Sequence, residues 1–143
     1  MTELDIERLH QVFQNPYPAR GEGKTVATLV NVIQSAELLP NGKLAFIYPV
    51  EAAKSYYTNL FKDIIDCFGM RDDVEEMRRD SILFKNGCKV FTFPAGPRIR
   101  DRVAGLMFDN IFIDPDAESR MSEDDFHVLS ARLSCFEREA QRI

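Results

Sequence analysis

Apolar residues at the start of the chain recur at helical spacing. Ile6, Leu9, Val12 and Phe13 share one face, Thr2 is placed to cap it and Asp5 falls in the first turn, which predicts an amphipathic helix over residues 2–14. Asn15-Pro16-Tyr17-Pro18 ends that helix, because each proline disfavours helix for the residue before it, and a glycine-containing loop follows from Ala19 to Thr25. From Thr25 to about Leu39 the apolar residues Val26, Leu29, Val30, Val32 and Ile33 cover more than one face, as in a helix packed between other elements. Pro40-Asn41-Gly42 makes a turn. Leu44-Ala45-Phe46-Ile47-Tyr48 is then continuously apolar and predicts a strand buried on both faces. It stops at Pro49, and Val50 to Phe68 return to helical spacing through Ala53, Tyr57, Leu60, Phe61, Ile64 and Ile65.

Gly69 and the charged run from Arg71 to Asp80 read as a connector with room for one helical turn. Ser81-Ile82-Leu83-Phe84-Lys85 and Cys88-Lys89-Val90-Phe91-Thr92-Phe93 flank Asn86-Gly87, the pair that suits a two-residue type I′ hairpin turn. Pro94 to Val103 is rich in Pro, Gly and Arg and reads as a loop. Asn110-Ile111-Phe112-Ile113 is a second strand of the buried type, ending on Asp114-Pro115-Asp116. Ser122, followed by Glu123, Asp124 and Asp125, starts a helix expected to run to the C-terminus with Phe126, Leu129, Leu133 and Phe136 on its apolar face. Strands alternating with helices imply an α/β fold with a mostly parallel sheet and an antiparallel hairpin.

Composition narrows the classes. A chain of 143 residues with 45% hydrophobic and 29% charged residues fits one globular domain. A net charge of −5 argues against gripping nucleic acid over the whole surface, since phosphate neutralisation needs clustered Lys and Arg. Cys67, Cys88 and Cys135 are far apart and lack C-x-x-C spacing, which disfavours a zinc site or a disulfide framework and suits buried thiols. With no apolar run near bilayer length and no leader pattern after Met1, the expected location is cytoplasmic.

The candidate chemistry lies in Arg20-Gly21-Glu22-Gly23-Lys24-Thr25. Gly23-Lys24-Thr25 matches the second half of the phosphate loop G-x-x-x-x-G-K-[ST], while Pro18 stands where the first Gly belongs. Gly21 and Gly23 would allow close backbone approach, and the helix opening near Lys24 would turn N–H groups toward an anion. Lys24 would reach the β and γ phosphates of ATP, with the Thr25 hydroxyl as a Mg²⁺ ligand. Without a ligand, the same residues make a loop with two glycines and a helix cap. Ile111-Phe112-Ile113-Asp114 supplies the second part of such a site, a buried strand ending in an Asp that holds Mg²⁺. Pro115 occupies the place where many ATPases carry the Glu that polarises the attacking water. Asp116 and Glu118 are either its replacements or two solvated turn carboxylates, so hydrolysis is expected to be slow or absent.

From Ala19 to Glu118 the order of elements resembles the ATPase domain of phage terminase large subunits, the DNA-packaging motors, within the wider set of helicase-type P-loop ATPases. Besides the phosphate loop, with its internal Arg, the likeness rests on Phe46-Ile47-Tyr48-Pro49 before a helix. It rests also on the hairpin Ile82 to Val90, similar to F-x-N-G-S-x-I, and on Arg102-Val103-Ala104-Gly105-Leu106 ahead of Phe108 to Asp114. The resemblance implies that Lys24 and Thr25 contact phosphate and Mg²⁺, that Asp114 holds Mg²⁺, and that Arg20 stabilises transition-state charge in cis. It nominates Gln11 or Gln14 as an adenine reader.

The expected fold is thus a three-layer P-loop NTPase-like domain, truncated relative to that family. Residues 1–16 would form an N-terminal helix and linker, 17–118 the nucleotide-binding core and 119–143 a C-terminal helix. A protein partner or homo-oligomer would complete it. Arg98, Arg100 and Arg102, helped by Lys85 and Lys89, are the candidate contacts to DNA phosphates, although Asp101 sits among them. The competing expectation is a non-catalytic interaction module that keeps the fold and has lost turnover.

Overall fold

A computed structural model describes residues 22–134. The helix expected over residues 2–14, Pro18, Arg20, Gly21, the candidate adenine readers Gln11 and Gln14, and the residues from Cys135 onward lie outside the described residues.

Helix α1 spans Glu22–Glu37, strand β1 Lys43–Tyr48, and helix α2 Lys54–Cys67 after a 3₁₀ turn at Glu51–Ala53. A second 3₁₀ turn, Arg71–Asp73, leads into β2 Val74–Met77, followed by β3 Ser81–Phe84 and β4 Lys89–Pro94. Short helix α3 Ile99–Val103 precedes β5 Asn110–Ile113, and helices α4 Pro115–Glu118 and α5 Glu123–Ser130 follow. The five strands form one sheet in the order β2-β3-β4-β1-β5.

β1 pairs in parallel with β4 and β5, whereas β2–β3 and β3–β4 are antiparallel. The sheet is therefore evenly mixed rather than mostly parallel. The difference is β2, which lies in the charged run read as a connector. Its register shifts between Val74 and Glu76, so the two half-buried residues Val74 and Met77 are three apart instead of two or four.

Side-chain alternation along β1 builds a core on each face of the sheet. Leu44, Phe46 and Tyr48 meet Val26, Leu29 and Ile33 of α1 and Tyr57, Phe61 and Ile64 of α2. Ala45 and Ile47 join Phe93, Phe108, Ile99 and Val103 of α3, Ala117 of α4 and Leu129 of α5. The result is helices on both sides of a five-stranded sheet. Phe46 is central to the first core: its ring lies 5.3 Å from Phe61, edge-on, and 5.7 Å from Tyr57. Cys67 and Cys88 are buried and form no disulfide among the described residues, as their spacing suggested.

Three local expectations change. The hairpin loop is one residue longer than a two-residue turn: the Gly87 amide donates to the Phe84 carbonyl at 3.0 Å and the Phe84 amide to the Cys88 carbonyl at 2.8 Å. Only Gly87 of this turn has a positive φ, +90°, as in a three-residue hairpin with a glycine bulge. Within the Pro/Gly/Arg-rich loop, Ile99 and Val103 are 1% and 0% exposed one turn apart, which makes that segment helical. Finally, the last described helix stops at Ser130 instead of continuing through Leu133. Leu133 makes a parallel bridge with Phe108, where the Phe108 amide donates to the Arg132 carbonyl and the Ser134 amide to the Phe108 carbonyl. Backbone pairing at the sheet margin outcompetes another helical turn there.

Candidate functional site

Gly23, Lys24 and Thr25 lie in α1, which is already helical at Glu22, ahead of the Thr25 start that the apolar pattern indicated. Lys24 is exposed, and its carbonyl accepts a hydrogen bond from the Thr28 hydroxyl at 2.9 Å. A Cβ placed on Gly23 would meet no heavy atom of the described residues within 4 Å.

Thr25 points the other way, into the protein, and is 3% exposed. Its hydroxyl donates to Asp114 Oδ1 at 2.7 Å, across 89 residues of sequence. Asp114 sits just past the C-terminal end of β5, where its amide donates to the Ile47 carbonyl of β1 at 2.9 Å. The side chain has no exposed surface. A carboxylate in that position must be paired to be tolerated, and two further donors meet Oδ2: the Tyr57 hydroxyl at 3.0 Å and the Asp116 amide at 3.1 Å. Three elements, α1, α2 and the β5–α4 junction, thus converge on one carboxylate.

Asp114 is also the N-cap of α4, with Pro115 in the first helical position, where its missing N–H costs nothing. The proline that displaces the expected Glu therefore starts a helix. Asp116 and Glu118, in the first turn of α4, are exposed.

Tyr57 was read from the sequence only as a core residue of α2, and nothing in the apolar periodicity marks its hydroxyl. Burial first, then the charge of Asp114, holds that hydroxyl well above the ordinary phenol range. Tyr48, at the end of β1, is 1% exposed and its hydroxyl has no hydrogen-bond partner among the described residues. Burial, with the charge of Glu51 second, pushes it up to about 12.

Of the basic candidates, Arg98, Arg100 and Arg102 are exposed at or within α3, and Arg102 pairs with Glu51 at 3.1 Å. Arg98, Arg102 and Glu51 line a cavity of about 200 Å³ beneath the Pro94–Pro97 loop. Lys85 and Lys89 do not line it. Lys89 instead lies over the Phe91 ring, 4.8 Å from its centroid.

Among the described residues, no group of three or more His, Cys, Asp or Glu side chains is placed to hold a metal ion by itself, and no helix is long and apolar enough to cross a membrane. No family model, curated protein or solved structure matches the chain.

Proposed function

We propose that the chain is an ATP- and Mg²⁺-binding P-loop domain, related to the ATPase of viral terminases, with slow or no hydrolysis. The observation that carries the reading is the buried hydrogen bond between Thr25 and Asp114. These are the two residues that the phosphate-loop pattern and the strand-Asp pattern select separately, and each would otherwise be an ordinary polar residue buried at some cost.

The donor set suits Mg²⁺, which prefers hard oxygens and is usually held by one or two protein groups plus phosphate and water. Thr25 and Asp114 provide such oxygens, and phosphate and water would fill the rest of the shell. Since Asp114 is sealed, the Thr25 hydroxyl would be the direct ligand, with its proton committed to Asp114 and its lone pairs left for the cation. Mg²⁺ held there would supply charge neutralisation to the phosphates. Lys24, exposed beside the helix start, would meet the β and γ phosphates, with Gly21, Glu22 and Gly23 shaping the loop and Arg20 supplying charge in cis. In a packaging role, Arg98, Arg100 and Arg102 are the groups that would meet DNA phosphates.

The environment of Pro115 favours a second reading, in which the domain binds nucleotide or a partner protein without turnover. Asp116 and Glu118 both face solvent, so neither stands in for a buried base.

Thermal melts with and without Mg-ATP test binding. At a hundredfold excess over Kd, a ligand selective for the folded state adds about 2.7 kcal/mol, a shift of several degrees. Lys24→Ala should abolish most of that shift, and phosphate release by the wild type then separates enzyme from binder. Identical melts of wild type and Lys24→Ala with nucleotide would overturn the reading.

A further inference from the structure

Resting on the nucleotide reading, we infer that Tyr57 is a positioning residue for the cation: its hydroxyl fixes the Asp114 carboxylate so that Oδ1 stays on Thr25, and so sets the site's affinity for Mg²⁺.

The two carboxylate oxygens are engaged unequally. Among the described residues, Oδ2 receives the Tyr57 hydroxyl at 3.0 Å and the Asp116 amide at 3.1 Å, while Oδ1 receives the Thr25 hydroxyl alone, at 2.7 Å. An ionised carboxylate oxygen accepts about two hydrogen bonds, so Oδ2 is filled and Oδ1 keeps one free direction. Rotation of the carboxylate would break both bonds to Oδ2. The side of Asp114 that faces Thr25 is therefore fixed by groups on the opposite side.

Tyr57 is well placed to act in this way. It belongs to α2, whereas Thr25 belongs to α1 and the Asp116 amide to α4, so it braces the carboxylate from an independent element. The direction of its hydroxyl is set by packing, because the ring is held by Phe46 and Tyr48, each 5.7 Å away, and by Tyr56 at 5.1 Å. A phenylalanine would keep every one of those ring contacts. What the hydroxyl adds is the bond to Asp114. Groups that orient a direct metal ligand typically change metal affinity by about 10- to 100-fold when removed. Tyr57 acts one step further out, through Asp114 on Thr25, and the Asp116 amide stays in place, so the lower end applies.

The test uses the full chain and Tyr57→Phe, with thermal melts in ATP plus chelator and then across a Mg²⁺ titration. The shift given by ATP without metal should match wild type, while the Mg²⁺ concentration at half-effect should rise about tenfold. A purely structural role would lower both melts equally and leave that midpoint in place. A midpoint within twofold of wild type overturns the inference and leaves the nucleotide reading standing. A wild type that responds to neither ATP nor Mg²⁺ overturns both. Should Tyr57→Phe not fold, 3-fluorotyrosine incorporated at position 57 carries the test. Its ¹⁹F resonance should move when Mg²⁺ is added to the ATP complex, and an unmoved resonance overturns the inference.

Discussion

Thr25→Val removes a hydroxyl while keeping the shape of the side chain, and takes away one of the three donors that the described residues direct at a carboxylate with no exposed surface. A hydrogen bond to a charged acceptor is worth about 1.5–3 kcal/mol, and burial leaves little room for water to replace it. Asp114→Ala is the larger perturbation. It strips the cap from α4 and leaves the Thr25 and Tyr57 hydroxyls without their acceptor, for a loss of about 3 kcal/mol or more. Removing a buried charge offsets part of this. The two losses should not add. Each single change already deletes the Thr25–Asp114 bond, so the double variant should be more stable than the sum predicts by that bond's worth, about 1.5–3 kcal/mol. Urea melts of the four proteins measure this directly, provided their denaturant slopes agree. Additivity within about 0.5 kcal/mol would mean that the two side chains do not meet, and the candidate site would disappear with the contact.

Asn86→Ala should cost about 1–2 kcal/mol and lower the urea midpoint. The Asn86 amide donates to the carbonyls of Ala36 and Glu37 at 2.8 and 3.2 Å, and its oxygen accepts from the Cys88 amide at 2.9 Å; a change below about 0.3 kcal/mol would contradict that role. At alkaline pH the buried Cys88 is informative. Burial, reinforced by the charge of Asp109, pushes its thiol from 9.0 up to about 11, so the folded state keeps a proton that the unfolded chain loses. That contribution is fully present below about pH 9 and is lost as pH rises toward about 11. Melts across this range should therefore fall less steeply for Cys88→Ala than for wild type, and parallel profiles would refute the assignment.

The parts of the fold that were legible in the sequence were those in which local pattern and tertiary role agree. β1 and β5 are short apolar runs because both faces of their sheet are covered, and the two helices flanking β1 carry broad apolar faces because they share one core. β2 was hidden because its bulge replaces alternation with Val74-Glu75-Glu76-Met77, a pattern without a period of two. The end of α5 was misplaced because Leu129 and Leu133 are spaced as on one helix face, yet Leu133 belongs to the margin of the sheet. For the site, motif spacing selected Thr25 and Asp114 separately and the fold joins them. Tyr57 escaped notice because an aromatic at helical spacing signals burial, and burial says nothing about what its hydroxyl will meet.

Helix α1 is tied near both of its ends to distant parts of the sequence. At its first turn Thr25 is tied to Asp114, 89 residues away, and at its last turn the carbonyls of Ala36 and Glu37 are tied to Asn86 in the hairpin, 50 and 49 residues away. Sixteen helical residues span about 24 Å, so the anchors fix the direction of the helix as well as its position. In the proposed site, anchoring at both ends would keep the start of the helix ordered, so phosphate-binding energy would not be spent on arranging it. The same rigidity would favour binding over turnover. A catalytic cycle must still bring a base to the attacking water, and the short α4 begun by Pro115 carries its two carboxylates on the solvent side.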